Sequence, residues 1–265
     1  MTAVPTPYCG APPDPASLWR HWNLDPILIS ILALLALGYA LGAGRAGLEA
    51  RRRLAFYVGW AIATLALVSP LCPLSVSLFS ARVAQHVALE LVAAPLVAIG
   101  APWRAYWALA VRGKRFGRGQ PHPLLAAGFF AAIIWYWHAP GPYDLTFEHA
   151  AIYWTMHVSA FGAALLLWNS LEQAFSRAAP AAIAASVASS VQMTFLGALI
   201  TVAPHPLYAP HALTTAAWGL SQLDDQQIGG LIMWVPGCSI FLAAALFAFA
   251  RVMKRADDAT DPAFA

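Results

Sequence analysis

Long uncharged, largely apolar stretches separated by short clusters of charged residues dominate the pattern of this chain. A membrane-spanning helix needs about 20 such residues, and each stretch is long enough to supply one helix. The region before Asp224 is rich in proline, which is typical of a loop. The pattern predicts seven membrane-spanning helices, over residues 26–43, 55–73, 83–100, 123–138, 149–171, 180–203 and 227–250.

The amino-acid composition indicates which class of protein these predicted helices form. Hydrophobic residues make up 60% of the 265 residues and charged residues only 10%, whereas soluble domains carry about 25% charged residues. A water-soluble globule of this size cannot hide so much apolar surface. The sequence therefore predicts an all-α, seven-transmembrane-helix bundle. It excludes a soluble enzyme, a disordered chain and a nucleic-acid-binding protein.

The distribution of lysine and arginine gives the expected orientation in the bilayer. All of these residues except Arg20 and Arg82 fall in the loops after the first, third and fifth predicted helices or at the C-terminal end. Cytoplasmic loops carry the excess of basic residues, so the N-terminus is expected outside and the C-terminus in the cytoplasm. The chain then divides into an extracytoplasmic segment (1–25), a membrane domain (26–253) and a cytoplasmic tail (254–265).

On this topology the histidines concentrate at one side of the membrane. Only His122 is expected at the cytoplasmic side, while the others lie at or near the outer ends of the helices. Imidazole is a good ligand for copper, zinc and iron, so this layer predicts a metal site. The alternative is that histidines occupy the polar tips of helices, and this is favoured for those in loops, namely His21, His205 and His211.

Two histidines are expected too deep for that alternative. At 1.5 Å per residue, His86 lies about 6 Å beyond Arg82. On the same measure, His157 lies about 13 Å beyond Glu148. Ionisable groups at such depth are costly and usually face a partner or a cavity. His86 and Glu90 share a helix face, so the carboxylate either ligates a metal, orients the imidazole, or only pins two helices together.

Further candidate ligands lie on the fifth and seventh predicted helices. His149, Tyr153 and His157 form one stripe at helical spacing, and such a stripe is unusual against lipid. Met156 and Met233 carry soft thioethers, which select Cu(I). Taken singly, each methionine is more typical of ordinary helix packing.

Acidic residues and cysteines add two further expectations. Asp224 and Asp225 open the seventh predicted helix, where a carboxylate caps free N–H groups and meets the positive end of the helix dipole. One of the two is expected to cap, which leaves the other, taken as Asp225, free for a cation. Cys9 and Cys72 are both expected outside, where disulfides form, and they either pair or capture copper.

Six motifs are distributed along the chain: WNLDP (22–26), AQH with the following AAPLVAIGAP (83–102), WYWHAPGPY (135–143), His157, PLY (206–208) and LDDQQIGGLIMWVPG (223–237). Together they resemble the CtaG family of cytochrome c oxidase assembly factors, the polytopic type found in bacteria. The resemblance covers nearly the whole chain, and the last motif is the most specific. It implies a multi-pass protein of the bacterial inner (plasma) membrane that helps to mature a haem-copper oxidase. By position it points to His86, His138, His157 and the Asp225–Gln226 pair.

The resulting hypothesis is a non-enzymatic assembly factor that binds copper in its outer leaflet, expected as Cu(I), and passes it to the oxidase. His86, His157 and His138 are the expected core ligands. The expected second group of ligands, which assist binding or transfer, consists of Glu90, His149, Asp225 and Met233. The expected partners are the oxidase subunits, the lipid bilayer and a periplasmic copper chaperone.

Two other interpretations remain open at this point. One is a b-type haem protein in which His86 and His157 ligate haem from its two faces. The other is a metal-free scaffold whose histidines only form hydrogen bonds. A retinal-binding protein is excluded because the only lysines, Lys114 and Lys254, fall outside the predicted helices. A transporter is disfavoured because the first, second and sixth predicted helices offer little polarity in their inner halves.

Overall fold

The computed structural model describes residues 7–111, 119 and 121–260, and the regular structure within these ranges is helical. This confirms the all-α class. The basic loop residues 112–118 and the tail residues 261–265 lie outside the described residues. The helices of the described chain are α1 (Pro26–Arg45), α2 (Ala50–Val68), α3 (Leu71–Ser77), α4 (Phe79–Val87), α5 (Ala94–Ile99), α6 (Pro102–Ala110), α7 (Pro123–His138), α8 (Pro140–Glu148), α9 (Ala150–Arg177), α10 (Ala179–Val202) and α11 (Gln222–Thr260), with a π-helical segment, Ala88–Ala93, between α4 and α5.

Several of these helices are long and apolar enough to cross a membrane. Within the described residues five stretches meet this condition alone: Pro26–Arg45, Phe79–Ile99, Ala150–Arg177, Ala179–Val202 and Gln222–Arg255. Two pairs meet it jointly but are bent, α2 with α3 by 47° and α7 with α8 by 69°. The number of candidate spans is therefore five, or up to seven if each bent pair forms one span. This set of helices is compatible with a multi-pass membrane protein.

Both bends coincide with proline. Pro70 precedes α3, and Pro140 is the first residue of α8. Proline disfavours helical geometry in the residue before it, yet it fits the first turn of a new helix, where its missing N–H has no helical acceptor. The sequence pattern predicts one helix over 55–73 and a loop over 139–148. Both predictions are wrong, because a new helix begins at or directly after each of the two prolines.

The third candidate span also begins earlier than predicted, at Phe79 and not at residue 83. The prediction had used Arg82 as the boundary of this span, but Arg82 is buried at 2% exposure inside α4. A further correction concerns α6, which forms where a loop was expected. α6 packs on α1 at Gly42, where a Cβ would overlap the backbone of Ala105.

Small residues bring α10 and α11 into close contact. A Cβ on Gly197 would lie 2.9 Å from the carbonyl oxygen of Gly230, and one on Gly230 would lie 2.8 Å from the carbonyl oxygen of Gly197. Such positions let helix backbones approach, which favours helix association in a bilayer. The largest hydrophobic cluster of the described chain draws on several helices and includes Phe130, Met156 and Phe241.

A disulfide between Cys9 and Cys72 attaches the N-terminal segment to α3. The Ser77 hydroxyl, at the end of α3, also donates a hydrogen bond of 2.8 Å to the carbonyl oxygen of Pro13. Of the two alternatives expected for these cysteines, pairing and copper capture, the structure shows pairing. Cys238 is free and half-buried in α11.

We expect the Cys9→Ser variant to lose roughly 2–4 kcal/mol of unfolding free energy, because the unfolded chain gains conformational freedom when a cross-link is removed. Thermal unfolding of the purified protein in detergent measures this loss. Cys238→Ser is the matched control, since it removes a thiol without removing a cross-link. Equal melting temperatures for the two variants would contradict the expectation.

Candidate functional site

The N-terminal end of α4 is held by a carboxylate from a distant helix. Asp225, in the first turn of α11, is fully buried and accepts a hydrogen bond of 2.7 Å from the backbone N–H of Phe79. It also accepts from the N–H of Ser80 at 3.2 Å and from the Ser80 hydroxyl. A carboxylate in this position satisfies N–H groups that have no acceptor within their own helix. α4 is thereby fixed against α11.

This arrangement gives both acidic residues in the first turn of α11 a structural partner. Asp225 caps α4, roughly 9 Å along the helix axis from His86. Asp224 accepts hydrogen bonds from the hydroxyl and the backbone N–H of Ser221 and so caps its own helix. The expected role of Asp225 as a metal ligand stays a prediction, and the role that the structure gives it is capping.

The π-helical segment directly after α4 carries Glu90. A π turn has a wider spacing than an α turn, and such segments are frequent at functional sites. His86 and Glu90 are almost completely buried, at 7% and 4% exposure. Nδ1 of His86 lies 3.5 Å from a carboxylate oxygen of Glu90. The structure therefore brings together this pair, which the sequence placed on one helix face.

Three imidazoles from three different helices converge at this point. The ring centre of His86 lies 5.1 Å from that of His157 on α9 and 6.3 Å from that of His138 at the end of α7. His86 and His157 are buried, and His138 is half-buried. The three residues expected as core ligands thus lie side by side.

Hydrogen bonds to the helix backbone orient two of the rings. Nδ1 of His157 lies 3.1 Å from the carbonyl oxygen of Tyr153, and Nδ1 of His138 lies 2.8 Å from that of Ile134. A carbonyl oxygen only accepts, so each Nδ1 carries the proton and each Nε2 presents a lone pair. The Nε2 atoms of His157 and His86 are buried without a hydrogen-bond partner. Backbone carbonyls orient metal-binding imidazoles in this way.

The residues that could hold a metal ion are few, and they belong to this group of imidazoles. Within the described residues, no set of three or more His, Cys, Asp or Glu side chains is arranged to hold a metal. A metal–imidazole bond is about 2 Å, so an ion bound to two imidazoles places their centres roughly 5–6 Å apart. The 5.1 Å between His86 and His157 falls in this range. Two imidazoles that hold a haem from opposite faces would have ring centres at least as far apart as the upper end of that range. The ring centres of His86 and His157 are closer together than this.

Two other predicted ligands lie apart from the three imidazoles. His149 precedes the first residue of α9, has an extended backbone and is exposed, so it does not continue the stripe formed by Tyr153 and His157. Met233 is 2% exposed and belongs to the largest hydrophobic cluster, together with Met156. The roles predicted for His149 and Met233 in metal transfer have no additional support from these positions.

Arg82 belongs to this site, although the sequence analysis used it only as a boundary. Its guanidinium carbon lies 4.2 Å from the ring centre of Phe147, 5.3 Å from that of Tyr143 and 5.5 Å from that of Tyr153. Nη1 donates a hydrogen bond of 2.6 Å to the Thr146 hydroxyl, and Nε is buried without a partner. The sequence did contain a signal, because positions 82, 86 and 90 lie on one helix face.

An apolar cavity of about 490 Å³ adjoins the imidazoles. His157 lines it, together with aromatic side chains that include Trp60, Trp103 and Phe161. On α9 the lining runs from Trp154 to Leu165, which is roughly 16 Å along the helix. His157 therefore borders both this cavity and the imidazole group.

Fold and site together define an all-helical protein with several candidate membrane spans and a group of imidazoles contributed by three of its helices. Residues 35–255 match the family model described as cytochrome c oxidase caa3 assembly factor, Caa3_CtaG. The chain belongs to this family, and the resemblance seen in its motifs is confirmed. No curated protein and no solved structure matches the chain. Membership supports a role in cytochrome c oxidase assembly and implies an interaction with the oxidase.

We expect Asp225→Ala to lower the unfolding free energy by roughly 1–3 kcal/mol more than Asp224→Ala, because it leaves buried N–H groups without an acceptor. Thermal unfolding of both variants in the same detergent measures the difference. Asp225→Asn retains one accepting oxygen and should fall between Asp225→Ala and the wild type. If the two alanine variants melt alike, Asp225 is not the anchor of α4.

Proposed function

We propose that this assembly factor binds Cu(I) between His86 and His157 and passes it to its oxidase partner. The observation that carries the proposal is a pair of buried Nε2 atoms without hydrogen-bond partners, on rings 5.1 Å apart. Leaving such atoms unpaired costs about 1–3 kcal/mol each, so two neighbouring ones are expected to serve a ligand. Imidazole binds copper well, and Cu(I) accepts low coordination numbers.

Each neighbouring side chain has a role in this proposal. His86 and His157 hold the ion, and His138 lies beside this pair, with its ring 6.3 Å from that of His86. Glu90 faces Nδ1 of His86 and orients that ring. Transfer proceeds by ligand exchange, in which a copper bond to the acceptor forms as a bond to one imidazole breaks. The oxidation state of copper does not change, so no enzymatic chemistry is required.

We further propose that the site faces the extracytoplasmic side of a bacterial inner membrane, with the N-terminus outside and the C-terminus in the cytoplasm. The distribution of lysine and arginine supports this orientation. The Cys9–Cys72 disulfide supports it independently, because disulfides persist in oxidising compartments. A periplasmic copper chaperone can supply the ion from that side.

We expect His86→Ala and His157→Ala each to weaken Cu(I) binding at least tenfold, since loss of even an orienting partner costs about 10–100-fold in metal affinity. Anaerobic competition with a chromophoric Cu(I) chelator measures the affinity of the purified protein. His149→Ala is the control, because it removes an exposed histidine outside the site. A wild-type protein that takes up no Cu(I), or alanine variants that bind it normally, would refute the proposal.

The same variants have an expected phenotype in cells. His86→Ala and His157→Ala should fail to restore oxidase activity to a strain that lacks this protein, and His149→Ala should restore it. Added copper should partly rescue the two inactive variants, because excess ion bypasses a delivery step. Failure of copper to rescue, with the variants stably inserted, would favour the metal-free scaffold.

A second candidate function is haem binding, which is favoured by the apolar, aromatic-lined cavity beside His157. His86 lies too close to His157 for the two to ligate haem from opposite faces, so His157 would be the single axial ligand. A Soret band that His157→Ala removes and His86→Ala retains would establish this function. Absorption spectra of protein purified from haem-replete cells decide between the two candidates.

A further inference from the structure

Arg82 is a buried cation without a carboxylate partner. It is 2% exposed, and the ion pairs of the described chain are Arg52–Glu172 and His86–Glu90. Removing a charge from water without a counter-charge is costly. A protein that stabilises such a charge beside a group of imidazoles is expected to use its electric field.

The surroundings of Arg82 stabilise this charge without cancelling it. The rings of Phe147, Tyr143 and Tyr153 lie within 4.2 to 5.5 Å of the guanidinium carbon, and aromatic faces attract cations through their quadrupoles. Thr146 adds one hydrogen bond through its neutral hydroxyl. A carboxylate in direct contact would neutralise the cation, whereas neutral rings and a hydroxyl do not. The carboxylate of Asp225 lies about one helical turn before Arg82, at the N–H groups of Phe79 and Ser80, and offsets part of the field.

That field acts on the proposed copper ligands. Arg82 precedes His86 by one helical turn, roughly 6 Å along α4. Towards His157, the Tyr153 ring lies 5.5 Å from the guanidinium carbon and 4.2 Å from the imidazole centre. The charge of Arg82 interacts electrostatically with both imidazoles. Glu90, 3.5 Å from His86, is the acidic group of the described chain that contacts this pair.

We propose that Arg82 makes the site between His86 and His157 selective for a monovalent metal ion over divalent ions. This inference rests on the proposed function and identifies a specificity-determining residue for it. The repulsion between Arg82 and a bound ion is proportional to the charge of that ion, so a divalent ion is penalised twice as strongly. At an effective dielectric constant of about 20 and a separation of about 8 Å, the extra penalty changes relative affinity by about thirtyfold.

Imidazole ligands alone do not distinguish a monovalent from a divalent ion, so selectivity requires another group. Imidazole binds zinc and divalent copper as readily as it binds Cu(I). Met156 and Met233 belong to the largest hydrophobic cluster, and none of the contacts described for the imidazole pair involves their thioethers. A fixed positive charge discriminates by ion charge and needs no additional ligand.

Titration with Ag⁺ and Zn²⁺ tests the proposal, because both ions keep their charge and neither undergoes redox chemistry under these conditions. Isothermal titration calorimetry of the full-length protein in detergent gives both affinities for each variant. Arg82→Gln should raise the affinity for Zn²⁺ relative to Ag⁺ by about thirtyfold. Arg82→Lys retains the charge and should keep the wild-type ratio. Arg20→Gln removes an exposed arginine from the N-terminal segment and should also leave the ratio unchanged.

Arg82→Met provides a second neutral variant, whose apolar side chain does not depend on the hydrogen bonds that a glutamine would need in this buried position. It should shift the ratio in the same direction as Arg82→Gln. An unchanged ratio in both neutral variants, or an equal loss of both ions in both, would overturn the inference and leave the proposed function intact. A wild-type protein that binds neither Ag⁺ nor Cu(I) would overturn the proposed function itself.

Discussion

Asp225 allows a helix to begin inside the bundle. The first N–H groups of any helix lack acceptors in their own helix, and a bilayer interior offers no water to satisfy them. Phe79 and Ser80 are buried, so α4 can start at this depth only because the carboxylate of Asp225 receives their N–H groups. The position of α4 in turn determines the depth of His86. The imidazole group therefore depends on a contact made almost two turns before its first ligand.

The rings of His157 and His138 are oriented by hydrogen bonds within their own helices. Nδ1 of His157 and Nδ1 of His138 each bond to the backbone carbonyl four residues earlier in the same helix. Such bonds form whenever the helix forms and need no partner from a neighbouring helix. They turn each ring so that Nε2 is the free atom. Assembly of the helices then has only to bring the rings together, and the apolar packing of α4, α7 and α9 achieves this.

Much of the fold was predictable, because membrane spans are encoded in local composition. The deep positions of His86 and His157, and the contact of His86 with Glu90, followed from helix periodicity alone. Three features did not follow from it. Asp225 caps a helix whose first residue lies 146 positions away in sequence, and no local pattern specifies such a pairing. Arg82 was used only as the boundary of a predicted span, and the aromatic rings that stabilise it come from two other helices. The bends at Pro70 and Pro140 were not predicted, because a count of apolar residues contains no information on helix direction.

The π-helical segment is the place where this span accommodates one additional residue. A π turn advances by a smaller angle per residue than the roughly 100° of an α-helix, so the six residues of Ala88–Ala93 turn about as far as five α-helical residues. Loss of one residue here would therefore let the segment return to α-helix with α5 in nearly the same orientation, and Val97 would stay buried while Ile99 stayed exposed. The effect of such a deletion would fall on the wide turn that carries Glu90 and not on the packing of α5.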